Sequence, residues 1–272
     1  MELYGDEAFR TIDKPTVGGA SPLFFFCITL AGLSRNFRPA FEKQLHALKL
    51  RASPNRQPDT WPLHFTELMM SSGQGGMFAF TSNAEKFAFG ADLARFIAES
   101  RPQLFTYNVS GCMRLPAEQK EKLKILRHVK QELFALAILG SLELLRDHQV
   151  TPRWTFDNIK DTTDGPKTEG WAQEVFLGLQ DTPLFAWLSS GAVILEPKFA
   201  SPGSHFLSEV ADFISYCSAR EFQKTVTSQT TELPTKLLGW GNYAAVIGDG
   251  SVDSTRSEGL PLKQFYGIQP RS

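Results

Sequence analysis

Three aspartates, Asp6, Asp157 and Asp212, are the residues of this chain whose type and position best suit a chemical site. Asp6 interrupts an otherwise packable first segment, and Asp157 ends a second segment that is rich in aromatic residues. Hydrolysis of a phosphodiester by two metal ions needs several carboxylate oxygens around cations about 3.5–4 Å apart. Because Mg²⁺ prefers hard oxygen ligands, the three acids predict a site for Mg²⁺ or Mn²⁺.

Asp212 belongs to a segment whose apolar residues recur with the helical period. At about 100° per residue, Glu209 and Asp212 fall on one flank of the apolar stripe, so two carboxylates border the buried face one turn apart. We take Asp212 as the first-choice ligand on this helix and Glu209 as the second. The stripe consists of Phe206, Val210, Phe213, Ile214 and Cys217.

Two further residues, Glu7 and His64, are candidates for the same site. In a regular strand Glu7 points away from Asp6, so the roles of ligand and surface residue remain equally open for it. His64 could move protons or bind metal at neutral pH, or it could pack through hydrogen bonds at the start of the next segment. Each acid taken singly is also explained as a cap, a turn residue or a solvated side chain, so the prediction rests on the combination.

The elements that must position these residues follow from the apolar patterning. Turn residues between the first two strands predict an antiparallel hairpin, whereas strands that alternate with helices later in the chain predict parallel pairing through right-handed crossovers. The segment 36–100 looks like a helical insertion. The predicted strands are 2–8, 23–31, 104–109, 152–159 and 191–195, and the predicted helices are 37–50, 83–98, 116–147, 169–179 and 204–223.

This order predicts an α/β fold with a mixed five-stranded sheet flanked by helices. The same order is that of RNase H-like folds, which host nucleases, integrases and transposases, although order alone does not establish chemistry. We expect one RNase H-like domain over residues 1–224, with its insertion at about 36–100. Residues 225–272 would form a C-terminal extension that packs on the domain or on a partner.

The charge balance restricts how a polyanion could bind. Lys and Arg total 28 against 29 Asp and Glu, so no general cationic field surrounds the chain, and nucleic-acid binding must be local. Three widely spaced cysteines without metal-ligand spacing suit a reduced cytoplasm. The most apolar run, 22–33, is shorter than the roughly 20 residues that cross a bilayer, so we expect no membrane contact.

Three short motifs resemble a widespread bacterial family, the domain of unknown function 3800. The segment Tyr-Gly-Asp-Glu-Ala at 4–8, followed by the apolar strand, resembles its opening Tyr-x-Asp-Glu-Ser-Gly strand. Leu-His-Phe-Thr-Glu-Leu at 63–68 resembles its His-x-Thr/Ser-x-Leu element. The segment 206–214 resembles its closing Leu-Gln-x-Ala-Asp motif, so the resemblance spans about residues 2–222.

This family is grouped with RNase H-like folds, so the resemblance implies a metal-dependent nuclease or related phosphodiester chemistry. Its genes are often linked to mobile elements or phage defence. Carried over by position, the resemblance marks Asp6, Glu7, Asp157 and Asp212, with His64 as an accessory group.

Two functions therefore remain. The first is a divalent-metal nuclease that acts on DNA or RNA. The second is a non-catalytic RNase H-like subunit or binding module, which contacts a protein partner or another copy of itself through the C-terminal extension. Departures from the family pattern motivate the second, since Ala8 and Phe9 replace the usual Ser and Gly, and Glu209 stands where Gln is common.

Overall fold

The protein is described from a computed structural model that covers residues 1–13, 22–65, 82–100, 103–146, 148–157, 169–200, 203–227, 242–248 and 251–257. Seven strands and six α-helices are present in these ranges, with a short 3₁₀ turn at Pro58–Thr60. The strands are β1 (Glu2–Ile12), β2 (Leu23–Leu33), β3 (Leu104–Arg114), β4 (Arg153–Asp157), β5 (Lys198–Ala200), β6 (Asn242–Gly248) and β7 (Ser251–Ser257). The helices are α1 (Arg38–Ala52), α2 (Asn83–Glu99), α3 (Gln119–Arg146), α4 (Glu169–Gln180), α5 (Pro183–Ser189) and α6 (Phe206–Thr227).

All seven strands form one mixed sheet in the order β5-β4-β1-β2-β3-β6-β7. β1 pairs antiparallel with β2, and β2 with β3, whereas β4 lies parallel to both β1 and β5. The predicted hairpin, the parallel pairing and the α/β class are therefore confirmed. The sheet is wider than the five strands predicted, because β6 pairs with β3 and β7 follows it.

The predicted strand at 191–195 is wrong. The fifth strand is β5, and the preceding helix α5 was not predicted. Ser190, directly after α5, has a left-handed φ of 51°, and Gly191 continues at φ 77°, so the helix ends here and no strand forms at 191–195. Within this run Val193 is 84% exposed, whereas Ile194 is buried in the core on the α3 side of the sheet. The five predicted helices are all present, with bounds shifted by a few residues.

The sheet separates two apolar cores. On one side it packs against α3, α4 and α5, with Leu3, Trp154 and Phe156 in this core. On the other side α6 lies over β1 and β2, and its apolar residues meet those of α1 and α2. β2 is buried along its whole length because helices cover both of its faces.

A chain of polar side chains fastens α6 to the middle of the sheet. Ser215 Oγ donates to the main-chain oxygen of Asp6 at 3.0 Å and lies 2.8 Å from Thr29 Oγ1. Asn108 Nδ2 donates to the same Thr29 oxygen at 2.6 Å. Because a carbonyl oxygen only accepts, the Ser215 proton belongs to the bond with Asp6, and Thr29 supplies the proton shared by the two hydroxyls. Strands β1, β2 and β3 are thereby joined to one turn of α6.

The predicted division of the chain at residue 224 stays a prediction. Helix α6 continues to Thr227. Among the described residues, no helix combines the length and the hydropathy needed to cross a membrane.

Replacing Ser215 with alanine should lower the free energy of unfolding by about 1–3 kcal/mol, because Thr29 and the Asp6 carbonyl lose a buried partner. Ser218 is the matched control, since its buried hydroxyl has no hydrogen-bond partner among the described residues. Ser218→Ala should change stability little or raise it. Urea unfolding followed by tryptophan fluorescence measures both variants, and equal losses would contradict the assigned bonds.

Candidate functional site

Asp6 and Asp157 lie side by side on neighbouring parallel strands. The last registered pair of β1 and β4 is Gly5 with Phe156, so Asp6 and Asp157 are the next residue on each strand. Phe156 belongs to the core beneath α3. Because side chains alternate along a strand, both carboxylates point to the opposite face, where α6 packs.

Gly5, the residue directly before Asp6, leaves room for the aromatic ring of Phe156. A Cβ atom added there would lie 2.5 Å from Phe156 Cδ1 and 2.6 Å from its Cε1. The aromatic ring therefore covers the glycine on the α3 side of the sheet. This packing allows β4 to carry a large residue directly before Asp157.

A main-chain N–H holds each of the three aspartates. Glu7 N–H donates to Asp6 Oδ1 at 2.7 Å, and Phe65 N–H donates to Asp212 Oδ2 at 2.7 Å. Gly203 N–H donates to Asp157 Oδ2 at 3.3 Å. Glu7 lies on β1, Phe65 lies between α1 and α2, and Gly203 lies just before α6. Three separate parts of the chain therefore fix the three carboxylates.

The donor to Asp157 depends on a glycine. Gly203 has a φ of 68°, a left-handed conformation that favours glycine, and an added Cβ would collide with Pro62. The Ser208 side chain also hydrogen-bonds Asp157. Asp157 is thus held by the beginning of α6 and by the loop that precedes this helix.

The acids raise one another's pKa. Burial raises the pKa of Asp6 well above its usual value, and the charges of Asp212, Asp157 and Glu7 raise it further. Burial raises the pKa of Asp157 to about 6, opposed by its hydrogen bonds from Gly203 and Ser208. Burial likewise raises the pKa of Glu7 to about 8, opposed by the charge of Lys130. Ionising all of these carboxyl groups together is therefore unfavourable at the carboxyl end of β4.

The chemistry of these oxygen donors fits a hard divalent cation, because such an ion removes the repulsion between buried carboxylates. Among the residues that the structure describes, however, no three His, Cys, Asp or Glu side chains are arranged so that they could hold a metal ion. The aspartates are brought to one face and within electrostatic range of one another. Their carboxylates do not converge on a single point.

Glu7 and His64 both lie near the aspartates. Glu7 is partly buried and has the charge of Lys130, on α3, among its electrostatic neighbours. The charges of Asp157 and Asp212 act on it as well. His64 Nδ1 lies 4.0 Å from Asp212 Oδ2, so its imidazole borders the site without a direct hydrogen bond to that oxygen.

Glu209, the second predicted ligand on α6, forms an ion pair with Lys49. Lys49 Nζ lies 2.9 and 3.0 Å from its two carboxylate oxygens, and both side chains are buried. Burial raises the pKa of Glu209 to about 7 in spite of this pair. Lys49 Nζ also lies 5.0 Å from the centre of the Trp61 ring. Glu209 therefore ties α6 to α1 in the insertion.

Sequence reasoning missed Lys49, Gly203 and Ser215. A signal for Lys49 was present, because it continues the apolar spacing of Phe41 and Leu45 on α1 and so falls on the buried face. A buried lysine requires an acidic partner. Gly203 and Ser215 carried no comparable signal, since their roles depend on contacts between distant segments.

Comparisons with family models, with curated proteins and with solved structures found no match for this chain. The resemblance to the domain of unknown function 3800 therefore stays a prediction.

Removing one partner of the buried Lys49–Glu209 ion pair should lower the free energy of unfolding. Lys49→Met leaves the Glu209 carboxylate buried and alone, and we expect a loss of about 3–5 kcal/mol in unfolding free energy. Adding Glu209→Leu should recover most of this loss, because a buried pair is often replaced by apolar residues without cost.

Arg95→Ala is the matched control for this pair. Its bond with Asp92 is exposed, so we expect a change below about 1 kcal/mol. Urea unfolding measures all three variants. A double variant as unstable as Lys49→Met would refute the structural role of the pair.

Without divalent metal, the melting temperature should fall between pH 5 and pH 8. The folded protein binds protons at Asp157 and Glu7 more tightly than the unfolded chain, whose pKa values are about 3.9 and 4.3. The extra stability is complete below those values and is lost as pH rises through about 6 and about 8. Thermal unfolding in EDTA measures this decline.

Glu7→Gln should weaken the fall of the melting temperature at the upper end of this pH range. Glu118→Gln, at an exposed position before α3, should leave the fall unchanged. Identical pH profiles for wild type and Glu7→Gln would remove Glu7 from the acidic cluster.

Proposed function

We propose that this protein is a divalent-metal-dependent nuclease of the RNase H-like kind, which hydrolyses phosphodiester bonds in nucleic acid. The proposal rests on one observation above all: Asp6 and Asp157 occupy adjacent positions on two parallel strands, and α6 brings Asp212 over the same face. Bound Mg²⁺ or Mn²⁺ would activate water and stabilise the leaving oxygen.

The strand order supports the same proposal. β1 is central in the sheet, β4 follows the long helix α3 and pairs beside β1, and the helix α6 packs against β1 and β2. This is the arrangement that an RNase H-like domain requires for acids from two strands and one helix to meet. The resemblance to the domain of unknown function 3800 rests on the same acids.

The residues of the chain have distinct roles in this proposal. Asp6, Asp157 and Asp212 hold the cations, and the main-chain N–H groups of Glu7, Gly203 and Phe65 orient them. His64, beside Asp212, is placed to exchange protons with solvent. Glu7 adds negative charge, while Glu209 serves the fold through Lys49 and is not a ligand in this scheme.

The test is cleavage of end-labelled DNA and RNA oligonucleotides by the purified protein with Mn²⁺ or Mg²⁺. Asp6→Asn and Asp212→Asn should each reduce the rate by roughly 10²–10³-fold, the equivalent of about 3–4 kcal/mol of transition-state stabilisation. Asp92→Asn, on the outer side of α2, is the control and should cleave like wild type. Cleavage that survives both site variants would reject the assignment.

A non-catalytic binding module is the second candidate, and one observation favours it. No converged metal-binding group exists among the described residues. A module of this kind would bind no Mn²⁺ in isothermal titration calorimetry and would cut no oligonucleotide. Mn²⁺ binding by the wild type that is lost in Asp6→Asn would favour the nuclease.

A further inference from the structure

A cavity of about 700 Å³ opens at the amino ends of β1 and β4, and three arginines line it: Arg35, Arg38 and Arg153. Arg38 donates to Glu2 at 2.6 Å, so one guanidinium is compensated. Neither Arg35 nor Arg153 forms an ion pair within the described residues, and both are exposed. Among the lining side chains, three arginines against one glutamate leave a local excess of two positive charges in a chain whose overall charge is −1.

The cavity lies in line with the aspartates. Glu2 and Arg153 are registered partners on β1 and β4, and each precedes its aspartate by four residues. At about 3.3 Å per residue, the two positions are about 13 Å apart along the strands. Four residues is an even number, so Arg153 shares the sheet face of Asp157, and Glu2 shares that of Asp6.

The surface between the arginines and the aspartates includes an uncharged aromatic pair. Tyr4, between Glu2 and Asp6, stacks on His205 with ring centroids 3.8 Å apart and planes 5° apart. Burial, with the nearby charge of Arg38, lowers the pKa of His205 to about 4, so the imidazole is neutral at physiological pH. Its Nδ1 accepts from the Leu207 N–H at 3.1 Å, which fixes the ring at the beginning of α6.

The beginning of α1 adds to the positive potential of the cavity. Arg38 is the first residue of this helix, which has no side-chain cap and no acid in its first turn. The positive end of the helix dipole is therefore not neutralised by the helix itself. This contribution reinforces the arginines, which carry the argument.

We propose that this arginine cavity binds a backbone phosphate of the nucleic-acid strand whose scissile phosphodiester lies at the aspartates. The inference rests on the proposed nuclease function and adds a second contact point to it. An acidic site repels a polyanion, so binding requires local cations outside the site. At about 3.4 Å per step in a stacked strand, 13 Å corresponds to about four nucleotides between the two points.

The first test measures binding without cleavage. Fluorescence anisotropy in EDTA compares wild type with Arg35→Ala/Arg153→Ala on a labelled single-stranded 12-mer (length chosen to exceed the roughly four-nucleotide span). Loss of the contact with one phosphate should reduce the slope of log K against log salt by about 0.7, which corresponds to roughly fivefold weaker binding at about 0.1 M salt. Arg38 is not substituted, because its loss would leave Glu2 without its ion-pair partner.

The control is Lys124→Ala/Arg127→Ala, which removes two positive charges from the exposed side of α3. It should bind within about twofold of wild type if the effect is local. Equal weakening in both double variants, or no binding by wild type, would overturn the arginine cavity as a phosphate site. Circular dichroism confirms that the variants are folded.

The second test uses strand length. Oligonucleotides that extend fewer than about four nucleotides from the cut on the arginine side should lose the sensitivity to Arg35→Ala/Arg153→Ala, while longer ones keep it in KM with little change in kcat. Sensitivity that is independent of length would place the contact elsewhere. If wild type binds through the arginines but never cleaves, the nuclease proposal fails and the phosphate site stands.

Discussion

The attachment of α6 to the centre of the sheet is the constraint on which the site depends. Ser215 bonds to the main chain of Asp6 and to Thr29, and it lies one helical turn after Asp212. Apolar burial is non-directional, so apolar contacts alone specify the rotation of a docked helix less strictly than hydrogen bonds do. The buried hydroxyl contacts remove this freedom, because any displacement leaves them unsatisfied. The position of Asp212 relative to Asp6 is thereby fixed by the fold itself.

Helix α6 is also held by polar contacts with the insertion. Glu209 pairs with Lys49 of α1, and the Phe65 N–H, in the middle of the insertion, donates to Asp212. The insertion therefore does more than cover the sheet, since it orients one of the three aspartates. This explains how residues 36–65, which carry none of the strand acids, belong to the candidate site.

Periodic apolar patterns were sufficient to predict most of the elements, because their burial is decided locally by the two sheet faces. The strand at 191–195 failed since α5 ends in a left-handed turn that leaves Val193 exposed, a tertiary outcome that a short apolar run does not reveal. The alternation of side chains along strands and the helical period were sufficient to predict the three aspartates as candidate site residues. The role of Glu209 was not, because its flank of α6 is shared with Asp212 and only the position of Lys49 separates the two.

The anchoring of the aspartates also explains why their carboxylates remain apart. Each one accepts a main-chain hydrogen bond from a different segment, and these bonds stabilise the charged forms that mutual repulsion and burial oppose. A hydrogen bond to a charged group contributes about 1.5–3 kcal/mol, so the carboxylates gain nothing by turning toward one another without a cation. In the proposed nuclease a bound divalent ion would reverse this balance, since its charge exceeds that of any donor N–H and would act on all three acids together.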